Sequence, residues 1–188
     1  MLRTLFEAEH DMFRESVQEF CRRHVAPHLA RWRTERAIDR RVWLEAGSKD
    51  FLGLAMPQDL GGTDLSDFRF NQILGEELSA AAVAVGSAFG IHVDVVAPYL
   101  LELTTAEQRE RWIPGFCDGS MVTALAMTEP GAGSDLAAIR TRARPDGDGW
   151  VLDGAKTFIT NGIGADLVIV AARTGDGRKD VSLFAVEG

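Results

Sequence analysis

Two short segments of this sequence hold most of the side chains that could contact a ligand. The first, Met127–Asp135, reads MTEPGAGSD. Gly131 and Gly133 would let the backbone approach a planar or anionic ligand, and Thr128 and Ser134 would supply hydroxyl donors. An ordinary tight connection between a strand and the next segment explains the same residues. By its shape alone the segment favours that ordinary connection.

The glycines of this segment belong to neither common phosphate-binding loop. A dinucleotide-binding G-x-G-x-x-G would need a glycine where Leu136 stands. A Walker loop is also absent, because no Gly-Lys-Ser/Thr follows. The segment therefore predicts a ligand contact only in combination with other features of the chain.

The second segment, Lys156–Gly162, reads KTFITNG and sets an aromatic residue between hydroxyl residues. Phe158 could cover one face of a planar ring such as a flavin, and Thr160 could donate a hydrogen bond to a ring nitrogen. An ordinary strand, with a large apolar side chain in the core and a β-branched residue in the pleat, explains the segment better when it is taken alone.

No other residues combine into a catalytic or metal-binding pattern, so we assign neither a catalytic residue nor a metal ligand. The paired Glu76 and Glu77 are interpreted as a solvated helix face, and Glu129 as a residue that orders its loop rather than one that abstracts a proton. Four histidines lack acidic or cysteine partners at metal-binding spacing and are predicted to be surface or core residues: His10, His24, His28 and His92.

The elements that must position the two segments change in type near residue 118. Residues 1–118 follow helical patterns and predict an all-α domain, in which Pro27 ends the first helix and Pro114 the last. The most buried helical stretch is expected to bend or break near Pro98. Thr105 and Gln108 have the spacing of a capping box.

Residues 119–188 follow strand patterns and predict part of an antiparallel β domain, which makes the fold class α+β. The last strand is apolar, and we expect another chain or a continuation of this one to cover its open edge. The predicted strands and the hairpin turn are Met121–Met127, Ile139–Arg144, Pro145–Gly149 (the turn), Trp150–Leu152, Thr157–Thr160, Leu167–Ala172 and Val181–Val186.

Composition narrows the class of protein. The 188 residues are 46% hydrophobic with a net charge of −8, so neither nucleic acid nor an anionic membrane is expected as the main partner. The two cysteines, Cys21 and Cys117, form no CxxC motif and predict reduced thiols of a cytoplasmic protein. The most apolar run, Ala80–Ile91, is interpreted as a buried helix too short to span a membrane.

Read together, these motifs resemble the acyl-CoA dehydrogenase family. Leu125–Ser134 is similar to the family's first flavin-binding segment, and Phe158–Thr160 to its second. The resemblance covers nearly the whole chain and is closest to the long-chain members. Four further stretches match the family. Three precede the first segment and one leads into the second: Gly53–Gly62, Gly75–Leu78, Thr105–Gly115 and Trp150–Lys156.

The resemblance implies a helical domain, a β domain and a C-terminal four-helix bundle, of which this chain would hold the first and part of the second. It implies an FAD-dependent oxidation of acyl-CoA to trans-2-enoyl-CoA in fatty-acid β-oxidation, with electrons passing to an electron-transfer flavoprotein. The family is homotetrameric, and its base lies in the bundle. The 188 residues alone are therefore predicted to be inactive.

The resemblance also implies FAD contacts for eight residues. Thr128 would bond the pyrimidine edge of the ring, Phe158 would lie against it and Thr160 would bond near N5. Ser134 would be shared between FAD and the acyl-CoA substrate. Leu125 stands where an aromatic residue is frequent in the family, and Phe158 stands where tryptophan is frequent. The eight residues are Leu125, Met127, Thr128, Gly133, Ser134, Phe158, Ile159 and Thr160.

Two other functions remain open from the sequence. One is an acyl-CoA oxidase-like or flavin monooxygenase-like enzyme on the same fold. The other is a non-catalytic subunit or interaction module without flavin, which the absence of flavin absorbance would reveal.

Overall fold

The structure consists of two compact units, one that ends at Val122 and one that spans Thr123–Gly188. This computed structural model describes residues 4–188. The first unit is helical and the second is built on a small sheet, which confirms the α+β class. The sequence placed the junction after residue 118. Within the described residues no helical bundle follows the sheet.

Seven α-helices make up most of the first unit, with short π-helical turns at Cys21–Val25 and Ile91–Val96. The capping box predicted at the start of the last helix is confirmed, because the Thr105 hydroxyl accepts from the Gln108 amide and the Gln108 side chain accepts from the Thr105 amide. The helices are α1 (Ala8–Phe20), α2 (Leu29–Glu35), α3 (Arg40–Gly47), α4 (Phe68–Ala81), α5 (Val83–Gly90), α6 (Ala97–Leu103) and α7 (Ala106–Asp118).

Aromatic side chains form much of the core of this unit. The rings of Trp43 and Phe89 stack with centroids 4.3 Å apart. His92 is fully buried and stacks on Phe116 with centroids 3.8 Å apart. Burial lowers the pKa of His92 to about 3, so this histidine is a neutral core residue.

His10 is the second fully buried histidine of the unit. Its Nδ1 accepts a hydrogen bond from the Glu7 amide at 3.1 Å, and its Nε2 lies 3.3 Å from Asp67 Oδ2. Glu7 and Glu9 are the other members of a group that could hold a metal ion, but both are exposed and both ring nitrogens of His10 already have partners. The cluster is explained as the N-terminal cap of α1.

The expectations that Pro27 and Pro114 end their helices were wrong. Helical structure continues past Pro27 through a 3₁₀ turn into α2, and Pro114 lies inside α7. Pro98 lies within a longer helical run, directly after the π-helical turn Ile91–Val96, so the irregularity expected near Pro98 is a change of helix type. A proline at a first turn continues a helical run instead of ending it.

Val83–Leu103 is a continuous helical run of 21 residues with a mean hydropathy of 1.5. The run is longer than the apolar stretch expected from the sequence, and among the described residues it is the one helix whose length and composition would suit a membrane span. Half of it is buried inside the protein, and core helices of soluble proteins meet the same criteria. The run by itself therefore does not indicate a membrane protein.

The second unit is built on five strands: β1 (Thr123–Ala126), β2 (Arg142–Asp146), β3 (Gly149–Asp153), β4 (Leu167–Arg173) and β5 (Val181–Glu187). β2–β3 and β4–β5 are antiparallel, as predicted. β1 runs parallel to β4, pairing Thr123 with Leu167, and β2 meets the end of β4 in parallel at Arg142 and Arg173. The sheet is therefore mixed rather than wholly antiparallel.

One predicted strand is not a strand. Thr157–Thr160 lies in a loop between β3 and β4. The physical reason is local, because Phe158 has φ 57° and Asn161 has φ 66°. A left-handed residue reverses the pleat and prevents an extended ladder.

Candidate functional site

Strand β1 delivers the first segment to the end of the sheet. Leu125 is half-buried on β1 opposite Ile169 of β4. Met127 and Thr128 follow directly, both half-buried. Because β1 is fixed by its ladder to β4, the position of these residues is set by the sheet.

The segment then closes in a tight turn from Glu129 to Ala132. The Glu129 amide donates to the Ala132 carbonyl at 2.8 Å, and the Ala132 amide donates back at 3.1 Å. Ala132 is buried against Ile139 and Ala171, which anchors the turn to the core. Only the turn's tip is left exposed.

Gly131 and Gly133 are not required by the conformation of the turn. Neither has a positive φ, and a Cβ added at either position would meet nothing within 4 Å. Ser134 and Asp135 beside them are exposed. The space in front of these residues is therefore open, and the ligand contacts expected of Gly133 and Ser134 stay a prediction.

The second segment lies alongside the first and is hydrogen-bonded to it. The Thr157 amide donates to the Thr128 carbonyl at 3.0 Å. Farther along, the Asn161 side-chain amide donates to the Thr123 carbonyl at 3.1 Å. These contacts bring Thr128 and Phe158 together, although the two are thirty positions apart in the sequence.

Phe158 is held in an unusual state. Its φ of 57° is left-handed, and its side chain is 91% exposed. A left-handed conformation costs a residue with a Cβ about 1 to 2 kcal/mol. An exposed aromatic side chain forgoes another ~2 kcal/mol of burial. The ring is therefore left open to contact by another group.

A buried ion pair joins the two segments. Lys156 Nζ lies 2.8 Å from Glu129 Oε1 and donates to the Met127 carbonyl at 3.0 Å. The Glu129 carboxylate also accepts from the Arg140 amide at 2.5 Å and from the Thr141 amide at 2.9 Å. The side chains of Lys156 and Glu129 are 12% and 6% exposed.

These neighbours set the protonation state of Glu129. Burial raises the pKa of the carboxyl, but the hydrogen bonds from Lys156 and from the backbone amides lower it by more. The resulting pKa is about 2. Glu129 is therefore an ionised loop-ordering residue, which agrees with its interpretation from the sequence. A carboxylate with this pKa is a poor proton acceptor near neutral pH.

The structure unites some of the eight residues expected to contact FAD and leaves others apart. Met127 and Thr128 adjoin the segment that carries Phe158, Ile159 and Thr160. Gly133 and Ser134 follow the turn, are exposed and have no hydrogen bond to the second segment among the described residues. Two contributors were missed from the sequence, Lys156 and Asn161. The sequence did offer a sign of the ion pair, because the first segment contains one glutamate, Glu129, and the second contains one lysine, Lys156.

An apolar cavity of about 220 Å³ opens beside the first segment. Met127 forms part of its wall, and among residues 4–188 Arg178 and Lys179 are the only charged side chains that line it. Its apolar lining consists of Met127, Leu136, Ala137, Ile139, Ala171, Val181 and Leu183.

Both units match domains of one protein family. Residues 7–120 match the acyl-CoA dehydrogenase N-terminal domain, and residues 124–188 match the acyl-CoA dehydrogenase middle domain. The chain is 42% identical to the long-chain specific acyl-CoA dehydrogenase, mitochondrial, of Mus musculus. That similarity covers 99% of this chain and 44% of the mouse protein.

Solved structures give the same result. An acyl-CoA dehydrogenase from Geobacillus kaustophilus superimposes with a TM-score of 0.93 at 38% identity, over 99% of this chain and 50% of that one. An acyl-CoA dehydrogenase complexed with FAD from Bacillus anthracis superimposes with a TM-score of 0.88 at 32% identity, over 100% of this chain and 32% of that one. The chain thus spans half or less of the length of these relatives.

Proposed function

Because the chain belongs to the acyl-CoA dehydrogenase family, we propose that it forms one side of an FAD site in an enzyme that oxidises acyl-CoA thioesters to trans-2-enoyl-CoA. The observation that carries the proposal is Phe158, an exposed aromatic ring held in a left-handed conformation beside Thr128. A planar ligand ring over Phe158 would repay both costs of that arrangement.

The residues present fit a flavin. Each segment carries a hydroxyl group that can donate or accept a hydrogen bond, Thr128 on the first and Thr160 on the second. Ser134, also on the first segment, is exposed. The open space in front of Gly133 would admit a bulky anionic group without displacing a side chain. An FAD complex of a family member at 32% identity supports the same assignment.

Each residue then has a defined task. Thr128 and Thr160 orient the ring by hydrogen bonds to its polar edge, and Phe158 with Ile159 covers one face. Leu125 and Met127 supply the apolar backing at the end of β1. Ser134 contacts both FAD and the thioester substrate. FAD supplies the hydride acceptor that no amino-acid side chain can replace.

The base that removes the α proton is proposed to come from outside these 188 residues. Glu129 is ionised and paired with Lys156. Glu76 and Glu77 both bind the guanidinium of Arg14, Glu76 at 3.0 Å. We further propose that the complete enzyme is a homotetramer that passes electrons to an electron-transfer flavoprotein.

FAD titration of the purified chain tests the proposal. We expect the chain to bind FAD, seen as a shift of the visible flavin absorbance and quenching of its fluorescence. Thr160→Val should weaken FAD binding by about tenfold, because it removes one hydrogen bond to the ring. The matched control is Thr174→Val, which removes an exposed hydroxyl of the same unit that bonds to Ser182.

Two results would count against the proposal. A wild-type chain that leaves the flavin spectrum unchanged would favour the non-catalytic alternative. Equal FAD affinity in Thr160→Val and Thr174→Val would remove Thr160 from the site while leaving the site itself in place.

A further inference from the structure

We propose that Glu129 and Lys156 are positioning residues that hold the two flavin-facing segments in register, and that FAD affinity depends on this tether rather than on the stability of the unit. The inference rests on the proposed function, because it assigns a purpose to the register of the two segments. It concerns residues that touch the segments' backbone and need not touch FAD themselves.

The geometry of Lys156 carries the first step. Its ammonium group bonds to the Met127 carbonyl at 3.0 Å and to Glu129 Oε1 at 2.8 Å. Met127 and Glu129 are the two neighbours of Thr128. One cation therefore holds the backbone carbonyl on one side of a proposed flavin contact and the side-chain carboxylate on the other, while its own backbone leads directly to Thr157 and Phe158.

Glu129 extends the tether to a third stretch of chain. Its carboxylate accepts from the amides of Arg140 and Thr141, which precede β2. A single carboxylate thus links the turn, the entry to β2 and the second segment through Lys156. Charged hydrogen bonds of this kind are about twice as strong as neutral ones.

The sheet does not hold the second segment. Residues 154–164 belong to no strand and take part in no strand pairing. Phe158 and Asn161 are left-handed, so the segment carries backbone strain that contacts must offset. The bonds from Lys156 to the first segment provide such contacts. The next residue, Thr157, adds another, because its amide donates to the Thr128 carbonyl.

Stability and positioning can be separated by removing the charges one at a time and together. Lys156→Met leaves Glu129 buried without its counter-charge, which is strongly destabilising. Glu129→Gln/Lys156→Met removes both charges and should recover much of that loss, but it cannot restore the bond to the Met127 carbonyl. Arg142→Met is the matched control, since it removes the cation of an exposed ion pair with Asp176 in the same unit.

The experiment measures three quantities on the purified chain: the thermal midpoint, amide hydrogen exchange at Thr157 without flavin, and the dissociation constant for FAD. In Lys156→Met we expect faster exchange at Thr157 and FAD binding weakened by at least about tenfold, as for the loss of one charged hydrogen bond. In the double variant we expect the thermal midpoint to recover while exchange stays fast and FAD binding stays weak. Arg142→Met should match the wild type in all three.

The outcomes distinguish the tether from the proposed function. Recovery of FAD affinity together with the thermal midpoint would show a purely structural role and overturn the inference. Unchanged exchange at Thr157 in Lys156→Met would also overturn it, whatever FAD does. If exchange at Thr157 is fast in Lys156→Met but the wild-type chain binds no FAD, the proposed function is refuted. The positioning role is then refuted as well, because it rests on that function.

Discussion

At the scale of single residues, the charge on Glu129 makes the second unit sensitive to acid. Its pKa lies near 2 in the folded chain, below its ordinary value near 4.5, because burial is outweighed by Lys156 and the backbone amides. A carboxyl group whose pKa is lowered by folding contributes its full stabilisation at pH values above its pKa in the unfolded chain. The stabilisation is lost as the pH falls through the folded value.

We therefore expect the wild-type chain to lose on the order of 3 kcal/mol of unfolding free energy from this one group between pH 5 and pH 2. Glu129→Gln should lack this part of the pH dependence, since glutamine does not titrate. Chemical denaturation at a series of pH values measures the difference. A constant gap between the two proteins from pH 7 to pH 2 would contradict the assigned ionisation.

The sequence singled out the two segments of the proposed site but not the contacts that join them. Thr128, Phe158 and Thr160 follow from the resemblance of two short segments to a family. Lys156 and Asn161 did not, because their roles depend on which backbone carbonyls the fold brings within hydrogen-bonding distance of their side-chain nitrogens, at 3.0 and 3.1 Å. Such distances between segments are not encoded in local pattern.

At the scale of elements, the turn that ends α7 depends on one glycine. Gly119 has φ 79°, in the left-handed region, and a Cβ at this position would overlap the carbonyl of Trp43 in α3. The close contact between the end of α7 and α3 is thus possible only without a side chain.

Gly119→Ala should lower the unfolding free energy of the helical unit by at least about 2 kcal/mol, from the strained φ and the overlap together. Gly75→Ala is the control, because its Cβ meets nothing within 4 Å and α4 gains up to about 1 kcal/mol of helix propensity. Urea unfolding followed by circular dichroism compares them. Equal stability of the two variants would show that the turn can relax.

Local patterns predicted local elements well. The capping box at Thr105 and the β2–β3 hairpin each depend on a few neighbouring residues, and both are confirmed. The parallel pairing of β1 with β4 escaped prediction, because it joins strands separated by a hairpin and a long loop. The loop at Phe158 was read as a strand because its composition suits one.

At the scale of the whole molecule, the chain holds matches to two domains and spans about half the length of a solved relative. The cytoplasmic location and the tetramer stay predictions. The carboxylates considered as bases are all engaged in ion pairs: Glu76, Glu77 and Glu129.

We expect the purified chain to show no acyl-CoA-dependent reduction of an artificial electron acceptor, even with FAD added, because no described carboxylate of this set is free to accept a proton. A full-length acyl-CoA dehydrogenase under the same conditions is the positive control. Measurable dehydrogenation by the chain, with contaminating enzyme excluded by a mock purification, would contradict the expectation.

The pairing of β1 with β4 also has a consequence for the order of folding. The β2–β3 and β4–β5 hairpins join neighbours and can form within microseconds, whereas β1 must wait until the chain has closed a loop from Thr123 to Leu167. The second segment, Lys156–Gly162, lies inside that loop. During synthesis on the ribosome, β1 and the residues after it therefore have no partner strand until β4 has emerged, and the two halves of the site are assembled in one late step.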